Sequence, residues 1–149
     1  MTAAPETDRR WRDGTVANER VHRRAFKGEP AELAKVRSFA TAALRGCSVL
    51  DDAVLLIDEV TANAIVHTRS ATIEVALRHV GDVVRGEVHD AGSDTVPAPR
   101  PDSDGESGRG LLIVDLLAKQ WGTRRTAAGR LVWFELHDPG CAIRSTAST

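Results

Sequence analysis

The sequence predicts a two-layer α+β sandwich, in which three helices cover one face of a mixed, mostly antiparallel sheet. Two alternating apolar and polar segments flank Gly81-Asp82, which predicts a β-hairpin with a tight turn. Two segments before the hairpin carry apolar residues at helical spacing, and a third helical segment precedes another pair of strands. Hairpin strands that are interrupted by helices in this order are typical of an α+β architecture.

The first strand and the first helix are separated by a turn. Residues 16–26 alternate partially between apolar and polar side chains, which predicts a strand. Residues 28–30, Gly-Glu-Pro, are predicted to form a turn, and Pro30 is suited to the first turn of the helix that follows. Apolar residues then recur at helical spacing from Leu33 up to Gly46.

The second helix and the hairpin follow directly. Asp51 or Asp52 is suited to cap this helix, which is predicted to run to about His67. The hairpin strands are predicted at residues 71–79 and 83–89.

A long polar segment separates the hairpin from the last three elements. Residues 90–110, DAGSDTVPAPRPDSDGESGRG, hold three prolines and four glycines without periodicity, which predicts a loop. A loop of this length in a small domain is usually functional or disordered. The pattern then predicts a helix over residues 111–120 and two strands around a turn at residues 127–130.

Composition limits the class of protein. The chain has 149 residues, 42% of them hydrophobic and 28% charged, which is typical of one soluble globular domain. We assign residues 16–138 to this domain and residues 1–15 and 139–149 to polar tails. A formal net charge of −1 argues against a general nucleic-acid binder. The basic residues within 9–27 are interpreted as a solvated face, with a partner surface as the alternative.

The cysteines and the hydropathy pattern indicate a reducing compartment. Cys47 and Cys141 lie far apart without metal-ligand spacing, so both are interpreted as ordinary thiols. Residues 1–8 lack the apolar segment of a signal peptide. No apolar run approaches the roughly 20 residues that span a bilayer. A cytoplasmic protein without a membrane partner is expected.

Three polar residues mark the second helix. Glu59, Asn63 and His67 lie four residues apart, so they fall near one line at the edge of an apolar helix face. Asn63 could supply an oxygen to Mg²⁺, which prefers hard oxygen ligands and completes its shell with phosphates and water. Glu59 could orient or deprotonate an attacking hydroxyl. The alternatives are a partly exposed helix face and, for His67, a structural histidine.

Two further features follow in the chain. Asp90 could accept a hydrogen bond from an exocyclic amine such as that of adenine, and Gly92 would let a flat ring lie against the backbone. Gly108-Arg109-Gly110 precedes a helix, whose free N–H groups and partial positive charge suit a phosphate. Arg109 could add a charge-assisted contact. Ordinary turns are the alternative interpretation for both features.

In this order, the three features resemble the GHKL ATPase superfamily and, more narrowly, small actinobacterial ATP-binding proteins related to anti-sigma-factor serine kinases. The resemblance covers about residues 16–137. The segments that carry it are DEVTANAIVH, EVHDAGSDTVP, ESGRGLLIVDLLAKQWG and GRLVWFEL. It implies a Bergerat-type site for ATP and Mg²⁺, between the helices and the sheet.

The resemblance also implies roles for residues at matching positions. Asn63 corresponds to the magnesium-coordinating asparagine, Glu59 to the general base, and Asp90 with Gly92 to the adenine-reading pair. The segment from Pro97 to Ser107 corresponds to the ATP lid. The remaining positions assigned to cofactor binding are His67, Gly108, Arg109, Gly110 and Leu111.

Two residues depart from the pattern of these relatives. Ala62 stands where they often have serine or threonine, and Leu131 stands where they often have a threonine that supports the adenine-binding carboxylate. Trp121 and Trp133 fit the family segments, and we interpret both as core aromatics.

The implied function is that of a regulatory serine/threonine protein kinase of the anti-sigma-factor type. Such a protein would phosphorylate a serine of a small antagonist protein and could sequester a sigma factor, without direct nucleic-acid binding; relatives suggest a homodimer. The main alternative is a nucleotide-gated module that binds partners with little or no kinase activity. A histidine-kinase catalytic domain without its other parts, and an α+β domain with accidental motifs, are the remaining interpretations.

Overall fold

The computed structural model describes Trp11 and residues 19–68, 70–91 and 106–139, with residues 106–111 described by their backbone alone. Its elements in chain order are β1 Arg20–Lys27, α1 Leu33–Ala43, α2 Leu50–Thr68, β2 Thr72–Val80, β3 Val83–Asp90, α3 Glu106–Leu117, β4 Gln120–Thr126 and β5 Gly129–His137. A short 3₁₀ turn, Pro30–Glu32, precedes α1.

The strands form one sheet in the order β1-β2-β3-β5-β4. Every strand pairing within the described residues is antiparallel, whereas the sequence predicted a mixed, mostly antiparallel sheet. Helix α2 packs on β3 and β2, and both α1 and α3 pack on α2. The predicted α+β sandwich of an antiparallel sheet and three helices is confirmed. None of the helices in these ranges combines the length and the apolar composition of a membrane-spanning segment.

The first elements differ from prediction mainly at their ends. Strand β1 begins at Arg20, and residues 16–18 of the predicted strand lie outside the described residues. Helix α2 begins at Leu50, which puts Asp51 and Asp52 inside its first turn. Neither aspartate is therefore the cap residue, although negative charge in this turn still favours the helix dipole. The hairpin is confirmed, since Val80 pairs with Val83 around Gly81-Asp82.

Helix α3 differs most from its prediction. It spans Glu106–Leu117, so it starts five residues earlier and ends three residues earlier than the predicted 111–120. Glycine costs about 1 kcal/mol relative to alanine inside a helix, which made the segment before Leu111 look like a loop. Packing of α3 on α2 outweighs this local preference. The helix ends early because Lys119 N–H already donates to Glu135 O of β5, at 2.8 Å.

The helix-covered face of the sheet holds the apolar core. The predicted alternation of β2 is confirmed, because Ile73, Val75 and Leu77 are all buried against the helices. Helix α2 contributes Leu56 and Ile57, which are fully buried. Trp121 also belongs to this core, as predicted, and its indole N–H donates to Asp115 Oδ1 at 2.9 Å.

The opposite face of the sheet is buried by charged side chains and two tryptophans. Arg85 is completely buried there, with its Nε 2.7 Å from Glu87 Oε2 and its Nη1 3.3 Å from Glu135 Oε2. Its guanidinium carbon lies 4.4 Å from the ring centre of Trp133 and 5.4 Å from that of Trp11. Trp133 is thus buried as predicted, but it packs outside the helix-covered core.

Candidate functional site

The C-terminal ends of α2 and β3 are joined by a chain of hydrogen bonds. Ala91 N–H donates to Ser70 Oγ at 2.9 Å, and Ser70 and Thr68 share a hydroxyl–hydroxyl bond of 2.8 Å. Thr68 Oγ1 in turn donates to Ala64 O of α2 at 2.6 Å. Asp90, the last residue of β3, is thereby held beside the last turns of α2. Sequence reasoning did not identify Ser70 or Thr68, because their role depends on where β3 ends in space.

Asn63 lies five residues before Thr68, which places it about 7.5 Å further back along α2. Its side chain is buried, with only 5% of the residue exposed. Neither Nδ2 nor Oδ1 has a hydrogen-bond partner within the described residues. An unsatisfied buried polar group costs about 1–3 kcal/mol, so native proteins usually satisfy such groups with protein, water or ligand. The amide of Asn63 is therefore suited to bind a partner that is not among the described residues, such as water or a ligand.

The three polar residues of α2 differ in exposure. Glu59 is partly buried, Asn63 is buried and His67 is exposed. Each step of four residues rotates the side chain by about 40° around the helix, so the line turns from the core towards solvent. Glu59 and Asn63 can face a common ligand, whereas the part of His67 in cofactor binding stays a prediction.

Asp90 is held beside an arginine that sequence reasoning missed. Its carboxylate is completely buried, and its Oδ2 lies 3.8 Å from Nη2 of Arg130, which is also buried. Asp90 and Arg130 are register partners between β3 and β5. A buried carboxylate needs such a charge partner, and in its ionised form it only accepts hydrogen bonds. These strands are distant in the chain, so their register could not be read from the sequence.

Leu131, the residue that departs from the family pattern, pairs with His89 instead. Successive side chains of a strand point to opposite faces, so Leu131 and Arg130 lie on different faces of β5. Arg130, and not Leu131, therefore lies on the same face as the Asp90 carboxylate.

Gly129 allows β5 to begin close to the end of β3. A Cβ atom at this position would lie 2.0 Å from Asp90 O and 2.5 Å from Ala91 C. Any larger residue would therefore displace the backbone that carries Asp90. The N–H of Gly129 donates to Thr126 Oγ1 at 3.0 Å, and this bond closes the turn between β4 and β5.

The predicted phosphate segment lies within the first turns of α3. Gly108 and Arg109 are the third and fourth residues of the helix, and Gly110 and Leu111 follow them. Because the first four N–H groups of a helix lack intrahelical partners, the free donors belong to residues 106–109. The free N–H donors therefore begin at Glu106, two residues before Gly108, the first residue of the predicted phosphate segment.

The direction of α3 is compatible with a role at the Asp90 end of the sheet. Just after the C-terminal end of α3, Lys119 N–H donates to Glu135 O, near the C-terminal end of β5. Asp90 pairs with Arg130 at the other end of β5. The first turn of α3 is thus the end that can approach Asp90. Gly92 and Pro97 lie outside the described residues, so their roles stay predictions.

Comparison with known families agrees with this geometry. The family model for the histidine kinase-like ATPase domain matches residues 26–136, from the end of β1 almost to the end of β5. The chain therefore belongs to the histidine kinase-like ATPase domain family, and its assignment to the GHKL-type ATP-binding superfamily is confirmed. No curated protein matches the chain.

Proposed function

We propose that this ATP-binding domain is a regulatory serine/threonine protein kinase of the anti-sigma-factor type. Its substrate would be a serine of a small antagonist protein, and it would also be able to sequester a sigma factor. The observation that carries the nucleotide site is the buried amide of Asn63, which lacks a hydrogen-bond partner within the described residues. The family match supplies the expectation that the ligand is ATP.

Asp90 would bind the adenine ring. Its buried carboxylate lies beside the Arg130 guanidinium, with Oδ2 of Asp90 3.8 Å from Nη2 of Arg130. An ionised carboxylate can accept the hydrogen bond that the exocyclic amine of adenine donates. The bond from Ala91 N–H to Ser70 Oγ holds the backbone directly after Asp90. In the proposed site, Gly92 would let the ring approach.

The phosphate end of the nucleotide would be held by α2 and α3. Mg²⁺ commonly takes only one or two protein ligands, and the unsatisfied Asn63 Oδ1 fits this requirement as a buried hard oxygen. When bound, the ion would neutralise charge on the phosphates. The free N–H groups at the start of α3, together with Arg109, would supply further contacts to the phosphates.

Glu59 would act on the incoming serine. It lies one turn before Asn63 on α2 and is partly buried, so it can face both the nucleotide and solvent. A carboxylate in this position can orient the serine hydroxyl and accept its proton as the γ-phosphoryl group is transferred.

Calorimetric titration of Mg-ATP into the purified protein tests the nucleotide site. We expect saturable binding by the parent and at least about tenfold weaker binding by Asn63→Ala, because the variant lacks the amide oxygen. His22→Ala, on exposed β1, is the control and should bind as the parent does. A parent that is folded by circular dichroism but does not bind Mg-ATP would contradict the proposal.

A nucleotide-gated binding module is the second candidate function. Ala62 and Leu131, which depart from the family pattern, favour it over the kinase. Glu59→Gln separates the two functions when the protein is incubated with γ-labelled ATP and candidate antagonist proteins. For a kinase, the variant should bind ATP but lose at least about 100-fold in phosphoryl transfer. ATP-dependent partner binding by both proteins, without transfer by either, would support the module.

A further inference from the structure

A second cluster of chemically active side chains lies at the other end of the sheet. It consists of Cys47, His79 and Asp138, and all three residues are buried. The thiol sulfur, one ring nitrogen and one carboxylate oxygen lie within 4.8 Å of one another. These residues are far apart in the sequence, which explains why Cys47 shows no local metal-ligand spacing.

The backbone of each residue is anchored in the fold. Cys47, between α1 and α2, has its N–H bonded to Leu44 O at 3.0 Å. His79 belongs to β2, one residue before the strand ends. Asp138 directly follows β5, and its N–H donates to Asp82 O of the hairpin turn at 2.6 Å. The cluster thus joins three segments that the chain brings together only on folding.

The set of atoms matches the ligand preference of zinc. Zn²⁺ binds cysteine sulfur, histidine nitrogen and carboxylate oxygen at about 2.0–2.3 Å in tetrahedral geometry. Such bonds place the ligand atoms about 3.3–3.8 Å apart, so ligand atoms within 4.8 Å of one another need to approach by about 1.5 Å at most. Sulfur and imidazole ligands argue against Mg²⁺ or Ca²⁺, which prefer oxygen.

Charge and secondary contacts favour the same ion. One thiolate and one carboxylate would balance the two charges of Zn²⁺, so the buried site would be neutral overall. The hydroxyl of Ser48 donates to Asp138 Oδ1, the kind of supporting contact that orients metal-binding carboxylates. A cysteine nucleophile would need access to a substrate, whereas Cys47 is only 7% exposed.

We propose that Cys47, His79 and Asp138 bind one Zn²⁺ ion, with water as the fourth ligand. The ion connects the α1–α2 segment, the end of β2 and the segment after β5. This site lies at the end of α2 opposite to Asn63, and it does not depend on nucleotide binding.

Cobalt substitution tests the site directly. Full-length protein is stripped with a chelator and titrated with Co²⁺, whose bond to a thiolate gives a charge-transfer absorption band in the near ultraviolet. We expect this band to saturate at one Co²⁺ per chain and to disappear when Zn²⁺ is added. Cys47→Ser should lose the band and bind Zn²⁺ at least about 100-fold more weakly, whereas Cys141→Ser should behave as the parent does.

Several outcomes would overturn the assignment. One is a folded, metal-free parent that develops no thiolate-to-cobalt band, and this result does not depend on any variant. Another is a band that survives in Cys47→Ser or disappears in Cys141→Ser. Should Cys47→Ser fail to fold, Asp138→Asn replaces it: weaker Co²⁺ binding supports the site, and unchanged binding contradicts it. The metal-free parent is also titrated with Mg-ATP, so that a failure to bind cobalt can be distinguished from a failure to bind the nucleotide.

Discussion

The two faces of the sheet are buried by different physical means. The helix-covered face is filled by apolar side chains such as Leu56 and Phe134, whose removal from water is favourable in itself. The opposite face buries Arg85, Glu87 and Glu135, and charged groups are tolerated there only because they pair with one another. The first face should therefore be sensitive to lost volume, and the second to a lost partner or to pH.

Ionisation on the charged face follows from these pairings. Burial opposes the ionisation of Glu87, but the His89 ring at 3.6 Å and the charges of Arg85 and Arg78 outweigh it. Together they lower the pKa of Glu87 to about 2. Burial likewise opposes the charge of Arg78, yet its contacts with Glu19 and Glu87 raise its pKa above the ordinary value.

The largest effect is expected when the charged face loses its central cation. Arg85→Met keeps much of the side-chain volume but leaves Glu87 and Glu135 buried without this partner, which should cost about 3–5 kcal/mol in unfolding free energy. Urea unfolding measures the loss. Arg37→Met is the control, because its ion pair with Asp58 is partly exposed and should contribute less than about 1 kcal/mol. Equal losses in both variants would remove the distinction between the charged face and ordinary surface pairs.

The apolar face should respond to lost volume instead. Leu56→Ala removes a completely buried side chain from α2 and should cost about 2–5 kcal/mol, the usual range for a cavity in a packed core. Since no charge is changed, the loss measured by urea unfolding should be the same at about pH 7 and about pH 5. Leu116→Ala, on the exposed side of α3, should have little effect. A strongly pH-dependent loss in Leu56→Ala would contradict this view of the apolar face.

Protonation of Glu87 in acid should lower the unfolding free energy by an amount similar to, or smaller than, the losses expected for Arg85→Met and Leu56→Ala. The pKa of Glu87 is about 2 in the folded chain, against an ordinary value of 4.5. Its contribution is fully present above about pH 4.5 and is lost as the pH falls through about 2, on the order of 3 kcal/mol in total. Urea unfolding between about pH 6 and about pH 3 should therefore show falling stability, with a flatter profile for Glu87→Gln.

An exposed carboxylate provides the control for the acid experiment. Glu29→Gln, in the turn after β1, should leave the pH profile almost unchanged. If Glu87→Gln keeps the full slope of the parent, the acid sensitivity arises elsewhere in the chain.

The candidate site was predictable where its residues belong to local patterns. Asn63 and Asp90 could be proposed from the sequence because each occupies a recognisable position on a helix or at the end of a strand, and their roles in nucleotide binding stay predictions. Arg130 and Ser70 were missed, because their contacts depend on the β3–β5 register and on the path between α2 and β2. The start of α3 was also missed, because its glycines disfavour a helix locally.

The sequence by itself determined the order of helices and strands between Arg20 and His137, within the residues that the structure describes, together with the hairpin at Gly81-Asp82 and the polar line on α2. These features depend on residues within one or two turns of each other, where periodicity and turn chemistry act. Tertiary structure decided the strand order, the burial of Arg85 between carboxylates and tryptophans, and the meeting of Cys47 with His79 and Asp138. Such contacts join distant segments, and they exist only once packing has brought those segments together.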